Sequence, residues 1–130
     1  MTHDEFWFIL YPVWEVEVTD QFLGWWSGLT VEQQESLTAR VNLLAERGPD
    51  LGRPVVDRIH MSRHHNMKEL RAAQGGALRV LFMFDPRRQA ILLLGGDKSG
   101  EWNAWYAWAV PLADDLYDTY LAELRDEGLI

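Results

Sequence analysis

The chain has 130 residues, of which 48% are hydrophobic and 12% aromatic, and its 12 Lys and Arg stand against 20 Asp and Glu for a formal charge of -8. A chain of this length buries enough surface to fold as one domain without disulfides or a structural metal. The lack of cysteine removes zinc ribbons, thiol redox centres and cysteine nucleophiles from the candidate chemistries.

The amino terminus, Met1-Thr-His-Asp-Glu5, is acidic where a secretory leader is basic, and the apolar run from Phe6 to Trp14 is broken by Pro12. No stretch approaches the roughly 20 apolar residues that a membrane helix needs. The expectation is a soluble cytoplasmic protein with no membrane association, folded as one domain over residues 1–130. Residues 1–12 read as an N-terminal extension, with Phe6-Trp-Phe-Ile-Leu10 as a sticky flap packed on the sheet.

Val13-Trp-Glu-Val-Glu-Val18 alternates apolar and acidic residues at period two, the pattern of a half-buried strand. Thr19 or Asp20 then offers an N-cap for a short helix through Phe22, Leu23, Trp25 and Trp26, ending near Gly28. Thr30-Val-Glu-Gln33 is a capping box that opens a second helix through Leu37, Val41 and Leu44, and Gly48-Pro49 stops it. Residues 48–66 read as an irregular basic loop leading into a strand at Lys68-Glu-Leu-Arg71. Leu78–Phe84 and Ala90–Leu94 read as long strands joined by the turn Asp85-Pro-Arg-Arg-Gln89. Pro111 is expected to open the last helix, with Leu112, Leu116, Tyr120 and Leu124 on its buried side. The order predicts an α+β domain: an antiparallel sheet of about four strands, two helices on one face, and a C-terminal helix, with the other sheet face left available.

Charge is unevenly spread. Residues 53–98 carry nine basic and four acidic residues, whereas residues 1–52 carry nine acids against two bases and residues 99–130 seven acids against one base. A basic segment gathered on one face binds phosphate even in an acidic chain. Strand alternation places Val80, Phe82 and Phe84 with Leu78 towards the helices and Arg79 on the opposite side with Leu81 and Met83. By the same rule Leu70 faces the helices, while Glu69 and Arg71 share the face of Arg79 and Lys68 falls on the wrong side.

The order of elements, with Lys68-Glu-Leu-Arg71, Arg79-Val-Leu-Phe-Met-Phe-Asp-Pro86 and Leu94-Gly-Gly-Asp-Lys98, resembles the RelE/ParE superfamily of type II toxins, in its HigB-like, phage-derived branch. Trp102, Trp105-Tyr106, Pro111 and Leu116-Tyr117 extend the resemblance, which runs from about Val13 to Leu124. It implies the toxin of a toxin–antitoxin pair, acting either as a ribosome-dependent mRNA endonuclease or, as in ParE-like members, as a gyrase poison. A non-catalytic binding domain is the third reading. The implied partners are mRNA on the ribosome and a cognate antitoxin, a helix-turn-helix protein, with a heterotetramer as one arrangement.

RNA cleavage by the 2′-hydroxyl needs a base, cations against the phosphate and an acid for the leaving oxygen. Arginine suits the cation role because its fork binds two phosphate oxygens. The resemblance assigns Arg79 as the strand cation, with Arg71 beside it, Lys98 as another cation and Tyr106 near the catalytic tyrosine, a slot that Trp102 or Trp105 also suits. Glu69 stands where RelE has a lysine. The base is left open between Glu69 and His64 or His65. Arg63, His64, His65, Lys68, Arg87, Arg88 and Trp102 are the expected RNA contacts, and no cofactor or metal is expected, although His60, His64 and His65 lie close enough in sequence to converge on an ion. The structural alternatives are an Arg79 paired with Asp85 or Asp97, and Trp105 and Trp108 closing the core.

Overall fold

The computed structural model describes residues 13–73, 78–97 and 102–130. The expected flap at residues 1–12 lies outside the described residues. In chain order the elements are β1 (Val16–Val18), α1 (Asp20–Ser27), α2 (Val31–Arg47), a 3-10 turn (Gly48–Asp50), β2 (Val56–Arg58), β3 (Lys68–Ala72), β4 (Leu78–Phe84), β5 (Ala90–Asp97) and α3 (Trp102–Asp126). The sheet has five strands in the order β1-β5-β4-β3-β2, with β1 parallel to β5 and every other pairing antiparallel.

Local chemistry sets the ends of α1 and α2. The Thr19 side chain accepts from Phe22 N at 3.1 Å and its hydroxyl donates to the Leu93 carbonyl, so one residue caps α1 and pins it to β5. The Thr30–Gln33 capping box is present in both directions. Gly48, at φ 57, ends α2 and lets the Trp14 indole lie where a Cβ would stand 2.4 Å from it.

Each face of the sheet is covered. Leu70, Leu78, Val80, Phe82 and Leu92 pack with Phe22, Leu37 and Leu44 of α1 and α2. On the other side Leu81, Met83, Ile91, Leu93 and Leu94 pack with Ala109, Val110, Ala113 and Tyr117 of α3. The face expected to stay available is therefore largely roofed by the C-terminal helix. That helix begins at Trp102, and Pro111 lies inside it. Proline removes one backbone donor, but the apolar positions 106, 109, 110, 113 and 117 keep helical spacing straight through it, and packing outweighs the break. The buried stripe is also displaced from the expected one: Leu112 is exposed, and Leu116 and Tyr120 are only partly buried. Strand β2, three residues long, lies inside the segment expected to be irregular.

A bulge in β5 positions the site. Leu81 pairs with Leu94 and Phe82 with Leu92, so Leu93 is the extra residue and the alternation of β5 changes phase there. Beyond the bulge Gly95 faces α1 and Gly96 faces α3. A Cβ at Gly95 would stand 2.1 Å from the Trp25 ring, and one at Gly96 would stand 2.4 Å from Trp105 Nε1. These glycines are seats for two indoles on opposite faces of one strand.

Candidate active site

Pairing brings the charged residues of three strands to one place. Asp57 lies opposite Glu69, Arg71 opposite Arg79, and Arg79 opposite Gly96. Cross-strand partners point to the same face, so Asp57, Glu69, Arg71 and Arg79 all project towards the N-terminal end of α3. Glu69 is the hub and is buried, at 4% exposure. Its Oε1 accepts from Arg71 Nε at 3.0 Å and lies 3.9 Å from Arg79 Nε, while its Oε2 accepts a short hydrogen bond from the Tyr106 hydroxyl. The Arg71 guanidinium also bonds Asp57 Oδ2 at 3.1 Å, and Arg53 reaches the same oxygen at 3.0 Å.

Burial, the hydrogen bond to Glu69 and that carboxylate's charge push the Tyr106 phenol up to about 12, against the opposing pull of Arg79. Tyr106 is thus a proton donor throughout the neutral range, held on a carboxylate. Asp57 is held below the usual carboxylate range, first by Arg53 and then by the backbone N–H of Arg58, with Arg71 adding its charge. Two guanidiniums, a carboxylate and a neutral phenol on one face supply the parts of phosphoryl chemistry: cations for a phosphate, an acceptor and a donor. Asp57 and Arg53 were missed in the sequence because their place follows from β2, whose three residues carry no periodic signal.

Arg71, Arg79, Glu69 and Tyr106 are therefore brought together as expected, and Arg79 stands beside Glu69 rather than pairing with Asp85. Lys98 and the side chain of Trp102 lie outside the described residues. The remaining expected contacts do not join the cluster. Arg63 is bound by Asp115 and Asp118, and His64 Nε2 lies 2.9 Å from Asp118 Oδ1 with its ring edge-on to Tyr117. Ser62 and the Arg63 backbone bond Asp114, so the basic loop docks on the acidic half of α3, at least eight residues and about 12 Å along the helix from Tyr106. His64 is thus held on α3, away from Glu69 and the two arginines. His65 is exposed, and Lys68 lies 5.7 Å above the Phe84 ring on the face of α1 and α2, the side expected for it. Among the described residues no three His, Asp or Glu side chains gather as a metal group.

Arg87 and Arg88 lie in the β4–β5 turn, at the opposite end of the sheet. Arg87 Nε bonds the fully buried Asp85 at 3.1 Å, and its terminal nitrogen bonds the Tyr120 hydroxyl at 2.8 Å. Arg88, exposed and at φ 65, completes the turn. Asp85 also accepts from Gln89 N at 3.0 Å, so the Asp-Pro pair builds the turn and takes no part in the cluster. Of the tryptophans expected to close the core, Trp105 does pack against it, whereas Trp108 is 55% exposed.

Residues 24–118 match the family described as Phage derived protein Gp49-like (DUF891). "Putative toxin HigB3" of Mycobacterium tuberculosis is 52% identical over 104 residues, covering 80% of this chain and 90% of that protein. "Putative toxin HigB2" of the same organism is 43% identical over 115 residues, covering 87% of this chain but only 57% of that longer protein. Among solved structures, the archaeal RelE–RelB complex from Pyrococcus horikoshii matches with a TM-score of 0.52 at 14% identity, over 68% of this chain and 99% of the matched chain. The family match over residues 24–118, the two relatives and the fold of the described residues lead to one conclusion: the chain belongs to the phage-derived Gp49-like family, the HigB-type branch of the RelE-like fold.

Proposed function

We propose that this chain is the toxin of a type II toxin–antitoxin pair and that it cuts mRNA on the ribosome. The observation that carries the proposal is the convergence of Arg71, Arg79 and Tyr106 on buried Glu69. Fold and family membership support it, since the matched relatives bear toxin names.

In this reading Arg71 and Arg79 bind the scissile phosphate and carry the negative charge that grows as phosphorus becomes five-coordinate. Glu69 takes the proton of the 2′-hydroxyl, whose oxygen attacks phosphorus. The bond from phosphorus to the 5′-oxygen breaks, and Tyr106 donates its proton to that oxygen. The products are a 2′,3′-cyclic phosphate and a 5′-hydroxyl, and the proton on Glu69 returns to Tyr106 along the bond that joins them. A phenol with a raised pKa matches a strongly basic leaving alkoxide.

A protein antitoxin is the implied partner, as in the archaeal structure solved with RelB. A helix-turn-helix antitoxin, a heterotetramer and a cytoplasmic location form part of the same proposal. Among the described residues no helix is long and apolar enough to cross a membrane. The test is to induce the parent and Arg79→Ala in cells and map mRNA 5′ ends within minutes. New ends inside translated frames, absent with Arg79→Ala, are expected. Growth arrest with intact mRNA would overturn the nuclease reading and favour a gyrase target.

A further inference from the structure

The two halves of α3 differ in chemistry. From Trp102 to Ala113 the helix has no charged residue, while its second half sets Asp114, Asp115, Asp118, Glu123 and Asp126 against Arg125 alone. A polyanion is repelled from the second half and meets no such barrier on the first. The first half also carries a ladder of rings leading out of the cluster. Tyr106, bonded to Glu69, stands edge to face with Trp105, with centroids 5.0 Å apart and planes at 68°. Trp105 stands edge to face with Trp108 at 6.2 Å and 79°. Trp105 is seated over Gly96, the residue paired with Arg79, so the middle of the ladder rests beside that arginine's strand position. Its outer end, Trp108, is 55% exposed.

We propose that Trp108 is a base-binding residue, stacking an unpaired nucleobase of the RNA one or two nucleotides from the phosphate held by Arg71 and Arg79. The inference rests on the ribonuclease reading and adds a subsite to it. Two ring-to-ring steps place Trp108 at most about 11 Å from the Tyr106 ring, within reach of a neighbouring nucleotide of the same strand. A half-exposed indole held by a second indole is a preset stacking surface, and stacking tolerates any base while favouring purines by their larger faces. Continuity through Trp105 with the strand position of Arg79 favours RNA over a protein partner as its occupant.

The experiment induces the parent, Trp108→Ala, Trp108→Leu, Trp108→Phe and Arg79→Ala in cells, and maps mRNA 5′ ends for cutting depth and base composition around each cut. Loss of one stacked base lowers cutting by about 5- to 150-fold. The Ala and Leu variants are expected to show this loss with a flattened base preference near the cut, and Phe is expected to restore both. Leu keeps the apolar bulk without the flat face, so recovery by Leu as well as Phe would overturn stacking. Cutting by Trp108→Ala at the parent's depth and sites overturns the subsite but leaves the nuclease reading standing, the more so if that variant escapes a co-expressed antitoxin and so marks a protein-binding face. Absence of cuts with the parent overturns both. Circular dichroism and melting of each variant confirm that the exposed position leaves the fold intact.

Discussion

Arginine, carboxylate and tyrosine side chains meet at both ends of the sheet, with opposite outcomes. Helix α3 supplies a tyrosine to each, Tyr106 and Tyr120, 14 residues and about 21 Å apart along the helix. At the turn end, one arginine, Arg87, faces two acids, Asp85 and Glu17, and Tyr120 donates to Glu17 at 2.7 Å. At the other end, Arg53, Arg71 and Arg79 face Asp57 and Glu69. Among the described residues the Arg87 contacts set two acids against one base, and the Glu69 contacts three bases against two acids. One is a latch tying β1, the β4–β5 turn and α3 together; the other has charge to offer a phosphate. Residue type does not separate the two clusters here, whereas the charge balance of their contacts does.

The largest expected effect separates the two ends by activity. Arg79→Ala lowers mRNA cutting by about 100-fold or more, the cost of losing one electrostatic partner of the transition state, a loss beyond what its folded fraction, read from the urea midpoint, accounts for. Asp85→Ala does the reverse. It strips a buried acceptor from Arg87 and Gln89 N, costs about 3 kcal/mol of stability in urea unfolding, and leaves cutting intact wherever the protein is folded.

The paired glycines sharpen the contrast within one strand. Gly95→Ala and Gly96→Ala each push a Cβ into an indole and lower stability by about 2 kcal/mol. Only Gly96→Ala, which shifts Trp105 beside the arginine face, is expected to reduce cutting beyond its effect on the folded fraction. Thermal melts and cutting assays on the two variants check this.

This contrast also shows how far the sequence could be read. Period-two alternation placed Arg79, Arg71 and Glu69 on one face and Lys68 on the other, because Leu70 and Ala72 of β3 and Leu78, Val80 and Phe82 of β4 mark the face turned to α1 and α2. The capping box and Gly48 marked α2 because caps are local chemistry. What covers the second face was not legible. The docking of α3 and of the Arg63–His64 loop on Asp114, Asp115 and Asp118 joins residues about 50 positions apart, with no local signal on either side. Arg63 and His64 therefore looked like free phosphate contacts and are instead bound by acids. Pro111 misled for a related reason: a proline rule is local, and the apolar stripe that overrides it belongs to the packed helix.

Smaller effects follow from pH. Burial and acidic partners raise the phenols of Tyr106, to about 12, and of Tyr120 above the ordinary 10. The unfolded chain then ionises first, so their contribution is complete below about pH 10 and is lost as pH rises towards 12. Urea midpoints taken from pH 8 to 11 should fall at the alkaline end, and less steeply in Tyr106→Phe. Smallest is Asp118→Asn. Arg63 holds the Asp118 carboxyl below its usual range, so its contribution is present above the ordinary carboxylate pKa and is lost as pH falls through the lowered value. The half-exposed position keeps this effect slight, visible only as a shallower acid limb of the stability curve.

The most direct test exchanges the two ends in one experiment: Arg79→Ala and Arg87→Ala, induced side by side with the parent, with mRNA 5′ ends mapped in each. Cuts inside translated frames that vanish with Arg79→Ala and persist with Arg87→Ala are the predicted result. Loss of cutting with Arg87→Ala in a protein that is still folded, while Arg79→Ala cuts like the parent, would contradict the assignment of the site.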